Sequence, residues 1–137
     1  MAALATQETD KSVSDYIDRI ENETKRNDSK TLIKIMSEIT GHEPKIWGDY
    51  FIIGFGKYKY KRKSGKEEFE WFNVGFAPRK SKMTIYLTFD ISQEQALTAK
   101  LGKFKWGKGC LYVNKLADID LEVLKQLIAK SKAATWH

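Results

Sequence analysis

The chain has 137 residues, 42% apolar and 12% aromatic, with 24 lysines and arginines against 18 acids for a net charge of +6. That length holds one core and no second domain, and the single cysteine, Cys110, excludes an intramolecular disulfide and any multi-cysteine zinc site. No stretch approaches the roughly 20 apolar residues of a membrane span, and Met1 to Asp10 lacks the basic start and apolar run of a secretory signal, so a soluble, cytoplasmic protein without a membrane partner is expected.

Residues 1–11 are expected to be disordered, residues 12–132 to form the domain, and residues 133–137 to fray. Ser12-Val13-Ser14-Asp15 reads as an N-cap ahead of Tyr16, Ile17 and Ile20 at helical spacing, predicting a short helix that ends near Glu23. Asn27 or Asp28 can cap a second helix, whose buried stripe is Leu32, Ile33, Ile35, Met36 and Ile39, with Gly41 as its stop. Pro44 to Asp49 is expected to be a loop entering a sheet.

The middle of the chain alternates with period two. Phe51, Ile53 and Phe55 form one strand, with Gly54 and Gly56 marking a bulge or a close backbone approach. Lys57 to Lys61 forms another, Ser64-Gly65-Lys66 is a turn, and Phe69 to Phe76 returns as a single strand that ends at Pro78. Met83, Ile85, Leu87 and Phe89 alternate with Thr84, Tyr86 and Thr88. A capping box from Ser92 opens a short helix ending near Gly102. A basic, glycine-rich loop (residues 103–109) then leads into a strand from Cys110 to Val113. Asp118 or Asp120 caps the last helix, with Leu121, Leu124, Leu127 and Ile128 as its stripe. Strands clustered between helices predict an α+β fold, a single antiparallel sheet packed against N- and C-terminal helices.

Charge is unevenly placed. Residues 57–108 hold 13 lysines and arginines against 5 acids, +8, which leaves −2 for the rest. Such a field attracts anionic metabolites, acidic partners or nucleic acid; solvated lysines also produce it with no partner at all. If Met83, Ile85 and Leu87 face the core, Tyr86 points to the other sheet face, where Trp71, Tyr58 and Tyr60 can join it. Aromatics beside lysines on an open sheet suit base stacking in single-stranded nucleic acid. The plainer alternative is cross-strand packing, with the lysines of 57–63 guarding an edge.

Lys103-Phe104-Lys105-Trp106-Gly107-Lys108-Gly109-Cys110 combines glycines with flanking cations, although it lacks P-loop spacing. Cys110 has no neighbouring histidine to form a nucleophile pair, and behaves as a small hydrophobe in most such settings. Asp15, Asp18, Glu21 and Glu23 fall near one another on the first helix, with Arg19 and Lys25 among them, and are candidate oxygen ligands for a metal, with a solvated helix face as the plainer alternative. Trp47 either floors a pocket or plugs the end of the core. No motif of a nucleophilic triad, metalloprotease or dinucleotide enzyme is present.

Pro44-Lys45-Ile46-Trp47-Gly48, Gly75-Phe76-Ala77-Pro78-Arg79-Lys80, Leu101-Gly102-Lys103, Gly107-Lys108-Gly109-Cys110-Leu111-Tyr112 and Asp118-Ile119-Asp120 occur in this order. The chain resembles the YdhG-like domain family, a domain of unknown function, over about residues 16–130. The resemblance implies a two-layer α+β domain similar in architecture to frataxin, and one reading of the family is a frataxin-like iron chaperone. Iron would then fall to Asp15, Asp18, Glu21 and Glu23, although the sheet here is basic where frataxin-type delivery uses an acidic edge. No other cofactor is implied. The leading expectation is a binding domain, with no named reaction, for an anionic small molecule or protein partner. Trp47 would wall its pocket, Arg79, Lys80, Lys103 and Lys108 would supply the charge, and Cys110 would lie nearby.

Overall fold

The computed structural model describes residues 12–47, 52–61, 68–79, 82–87, 91–107 and 109–133. Helix α1 (Val13–Asp18) begins where the Ser12 hydroxyl accepts a hydrogen bond from the Asp15 N–H at 3.2 Å, the N-cap the sequence predicts. It ends short of Glu23 because Asn22 caps the next helix, its side-chain oxygen accepting from the Lys25 N–H at 2.8 Å. Helix α2 (Glu23–Thr40) therefore starts ahead of the expected caps. The Asn27 carbonyl lies inside it and accepts from the Thr31 hydroxyl at 3.1 Å, while the Asp28 carboxylate reaches out to accept from the Leu116 N–H at 3.0 Å. Gly41 stops the helix at φ 74°, a left-handed conformation that a Cβ would strain.

Eight strands follow: β1 (Pro44–Trp47), β2 (Ile52–Phe55), β3 (Tyr58–Lys61), β4 (Glu68–Trp71), β5 (Val74–Pro78), β6 (Met83–Leu87), β7 (Lys105–Trp106) and β8 (Cys110–Val113). Six form an antiparallel sheet in the order β1-β2-β5-β6-β8-β7, and β3 and β4 form a separate two-stranded ribbon. Three expectations change. The segment 44–47, expected as loop, is an edge strand paired to β2 from Pro44↔Phe55 to Trp47↔Ile52. Phe69 to Phe76 is two strands, broken at Phe72-Asn73, where the Asn73 N–H donates to the Phe55 carbonyl at 3.0 Å and sends the chain from ribbon to sheet. The basic loop after Gly102 contains β7, paired to β8.

A 3-10 turn (Ile91–Glu94) runs into the single turn of α3 (Gln95–Thr98), so Ser92 lies within the turn and not ahead of it as a cap. The segment 101–103 is tied to a second 3-10 turn (Leu116–Asp118) by Lys103 N–H to the Asp118 carbonyl at 3.0 Å and Asp120 N–H to the Leu101 carbonyl at 2.6 Å. Asp120 caps α4 (Leu121–Ala133) as predicted, its carboxylate accepting from the N–H groups of Glu122 at 2.9 Å and Val123 at 3.3 Å.

The fold is α+β, one antiparallel sheet with N- and C-terminal helices against it. Helices α2 and α4 pack on each other and both lie against β5. Leu32 and Met36 of α2 and Leu124, Leu127 and Ile128 of α4 are buried against Ile53, Phe76, Ile85 and Leu111 of the sheet, each removing apolar area worth roughly 1.5–3 kcal/mol from water. Among the described residues no helix is long and apolar enough to cross a membrane. The segments 1–11 and 134–137, the turn at Ser64-Gly65-Lys66, and Thr88 and Phe89 lie outside the described residues.

Candidate functional site

The sheet has a second apolar layer on the face turned away from α2 and α4. Strand pairing sets Gly54 opposite Gly75, and Gly75 opposite Tyr86. The two glycines leave a trough, and the Phe72 ring lies in it; a methyl group on Gly54 would stand 2.8 Å from Phe72 Cβ and from Trp47 Cδ1. Trp71 stacks on Phe72 at 4.2 Å between centroids, and Trp47 and Tyr86 meet it edge-on at 5.5 and 5.8 Å.

Trp47 is consequently 1% exposed. It plugs this second layer and does not wall a pocket. Trp71 and Tyr86 likewise spend their ring faces and edges on Phe72, so the stack that suggested nucleic-acid binding is largely a packing cluster. Tyr58 and Tyr60 pair with Trp71 and Phe69 in the ribbon, outside the sheet that carries Tyr86.

A cleft of about 780 Å³ opens elsewhere, where the end of α1 meets the end of β5; Tyr16, Arg19, Ile20, Glu21, Asn22, Lys25, Pro78 and Arg79 line it. Local chemistry fixes each wall. The Asn22 cap turns the chain sharply after α1, and the Arg26 guanidinium locks that turn by donating to the Ile20 carbonyl at 2.8 Å. Lys25 Nζ donates to the Arg79 carbonyl, which joins the first turn of α2 to the β5–β6 hairpin. The Arg79 N–H donates to the carbonyls of Ala77 and Lys82, at 3.0 Å each, and closes that hairpin.

Among the described residues three cations, Arg19, Lys25 and Arg79, thus line the cleft with one carboxylate, Glu21. Half-burial pushes the Tyr16 phenol above its ordinary value, with the positive charge of Arg79 pulling the other way. The phenol therefore keeps its proton at neutral pH. A concave surface with excess positive charge, an aromatic ring and an apolar floor from Ile20 and Pro78 is suited to holding an anion that carries some apolar bulk.

Of the bases the sequence nominates, Arg79 lines this cleft, and Lys103 lines a separate one beside Tyr112. Lys80 and Lys108 lie outside the described residues. Cys110 is half-buried in β8, opposite Tyr86 in the register; burial raises its thiol above the usual range, and a hydrogen bond with Tyr112 works against that. It is held as a poorly ionised thiol, the reverse of an activated nucleophile.

The acidic quartet divides as well. With α1 ending at Asp18, Glu21 falls in the turn and lines the basic cleft, and Glu23 opens α2. Among the described residues no group of three or more His, Cys, Asp or Glu is arranged to hold a metal ion, so the fold does not gather Asp15, Asp18, Glu21 and Glu23 into one cluster.

Tyr16, Arg19 and Lys25 are the residues that sequence reasoning misses. Tyr16 falls within the apolar stripe of α1 and reads as core, while Arg19 and Lys25 sit among acids and read as solvated surface. Comparisons with known protein families, with curated proteins and with solved structures return no match to the chain.

Proposed function

We propose that this chain is a non-enzymatic binding domain that takes an anionic ligand in the cleft between α1 and the β5–β6 hairpin. The observation that carries this is the gathering of Arg19, Lys25 and Arg79 around one concavity from three separate segments, with a single opposing acid among the described lining residues. Its volume, about 780 Å³, lies within the roughly 300–1,000 Å³ range of small-molecule sites. The arrangement supplies charge and shape but no paired general acid and base, which favours binding over a reaction. The likeness to the YdhG-like family belongs to the same proposal, since Pro78 and Arg79 stand in one of its motifs.

A thermal-shift panel tests it: pyrophosphate, citrate, a sugar phosphate and a single-stranded oligonucleotide, against neutral sugars of similar size. A ligand present at 100 times its Kd stabilises the fold by about 2.7 kcal/mol, a rise of about 6–10 °C for a domain of this size. Arg79→Glu should reduce the shift sharply. Equal shifts in the two proteins, or none with any anion, would remove the proposal.

A further inference from the structure

The second cleft, about 340 Å³, is lined by Lys82, Gly102, Lys103, Phe104, Lys105, Tyr112, Asn114 and Asp118. It lies at the β6-β8-β7 end of the sheet, and the register tells which face it uses. Met83 pairs with Val113, and both are buried in the core under the helices. Alternation then turns Tyr112 and Asn114 to the opposite face. Tyr112 pairs with Thr84 on one side and Lys105 on the other, so these three share that face.

Phe72, Trp71 and Trp47 cover the β2–β5 part of this face, and Tyr86 marks the edge of their cluster. The Tyr112 ring lies beyond them and remains partly exposed. Lys82 is anchored beside it, donating from Nζ to Asn114 Oδ1 at 2.7 Å. The backbone of Lys103 is anchored on the other side by its N–H bond to the Asp118 carbonyl at 3.0 Å. Three lysines, Lys82, Lys103 and Lys105, therefore line one cleft with a partly exposed aromatic ring, and among the described lining residues Asp118 is the single acid.

We infer that this cleft is a second binding site, one that takes a phosphate monoester carrying a flat ring, the chemistry of a nucleoside monophosphate. The lysines meet the phosphate as point charges, and the Tyr112 ring offers a stacking surface to the base. The volume, about 340 Å³, is at the small end of the range for ligand pockets, which suits a single nucleotide better than a larger metabolite. The site is independent of the anion cleft at α1: it shares none of its lining residues.

The test is an amide-resolved NMR titration of the whole chain with a nucleoside 5′-monophosphate, with inorganic phosphate and the uncharged nucleoside as separate arms. The monophosphate should give saturable shifts in residues 103–105 and 110–114 and bind more tightly than either part alone. Lys82→Gln, Lys103→Gln and Lys105→Gln together should weaken it by about tenfold, from three exposed charge contacts. Tyr112→Leu should remove about another tenfold, the stacking share, and bring the nucleotide down to the affinity of inorganic phosphate. Arg19→Glu, which alters only the first cleft, should leave these affinities unchanged. Lys103 and Lys105 are exposed, so the double variant Lys103→Gln with Lys105→Gln should melt with the wild type and still bind more weakly, which separates lost charge contacts from loss of the Lys82–Asn114 bond. Absence of saturable shifts in these segments, an unchanged affinity in the triple variant, or an unchanged preference for the nucleotide in Tyr112→Leu would each overturn the inference.

Discussion

The substitution Gly54→Ala tests the second apolar layer at its foundation. A methyl group there would lie 2.8 Å from Phe72 Cβ, Phe72 Cγ and Trp47 Cδ1, about 1 Å inside the ordinary carbon–carbon contact distance. Neither neighbour can step aside into solvent, since Phe72 is 0% and Trp47 1% exposed. Overpacking of this kind costs about 1–3 kcal/mol, and restricting the unfolded chain returns about 0.4–1 kcal/mol. The net expectation is a loss of about 1 kcal/mol, a midpoint lower by about 3–5 °C.

Urea unfolding followed by tryptophan fluorescence measures it directly, because Trp47 and Trp71 both contact Phe72. A double-mutant cycle sharpens the test. Phe72→Leu removes the ring from the trough, so Gly54→Ala should cost less in that background, with a coupling of about 1 kcal/mol or more. A Gly54→Ala protein as stable as the wild type, or strict additivity with Phe72→Leu, would show that the ring does not rest on this glycine.

Asp120→Ala removes the acceptor for two N–H groups at the start of α4 and should lower stability by about 1 kcal/mol in a urea melt. Cys110 titrates above its ordinary value of 9.0 because it is half-buried, so the folded chain should react more slowly with iodoacetamide at pH 8 than the chain unfolded in guanidinium. The linked effect on stability has a definite sign. A thiol raised in the folded state contributes fully below the unfolded value and loses that contribution as pH climbs past it. Tyr16 acts the same way above its ordinary value of 10.0. Stability should therefore fall from about pH 9 upward, and Cys110→Ala should remove the earlier part of that fall.

Much of the architecture is legible in residue spacing. The stripe through Leu32, Ile35 and Met36 places α2 on the sheet, the alternation through Met83, Ile85 and Leu87 sets the core face of β6, and Asp120 marks the start of α4. These are local patterns with one dominant period. What escapes the sequence is non-local. Gly54 and Gly75 are 21 positions apart, and only their pairing creates the trough that takes Phe72 and buries Trp47. The break at Phe72-Asn73 is invisible because both halves alternate; a bond from Asn73 to the Phe55 carbonyl makes the turn. The cleft is hidden for a similar reason, since its cations come from the end cap of α1, from α2 and from the β5–β6 hairpin and meet only after Asn22 has turned the chain. Of the residues nominated from sequence, Arg79 lines it as a base and Glu21, nominated as a metal ligand, lines it as an acid.

The most direct measurement is an NMR footprint of the best anion from the thermal-shift panel on the wild-type chain at two salt concentrations. Binding at the α1 cleft predicts saturable amide shifts in residues 16–25 and Arg79 that are larger than those elsewhere and weaken as salt rises, because the attraction is between charges. Shifts that centre on other segments, or that grow linearly without saturating, would contradict the assignment of this cleft as the binding site.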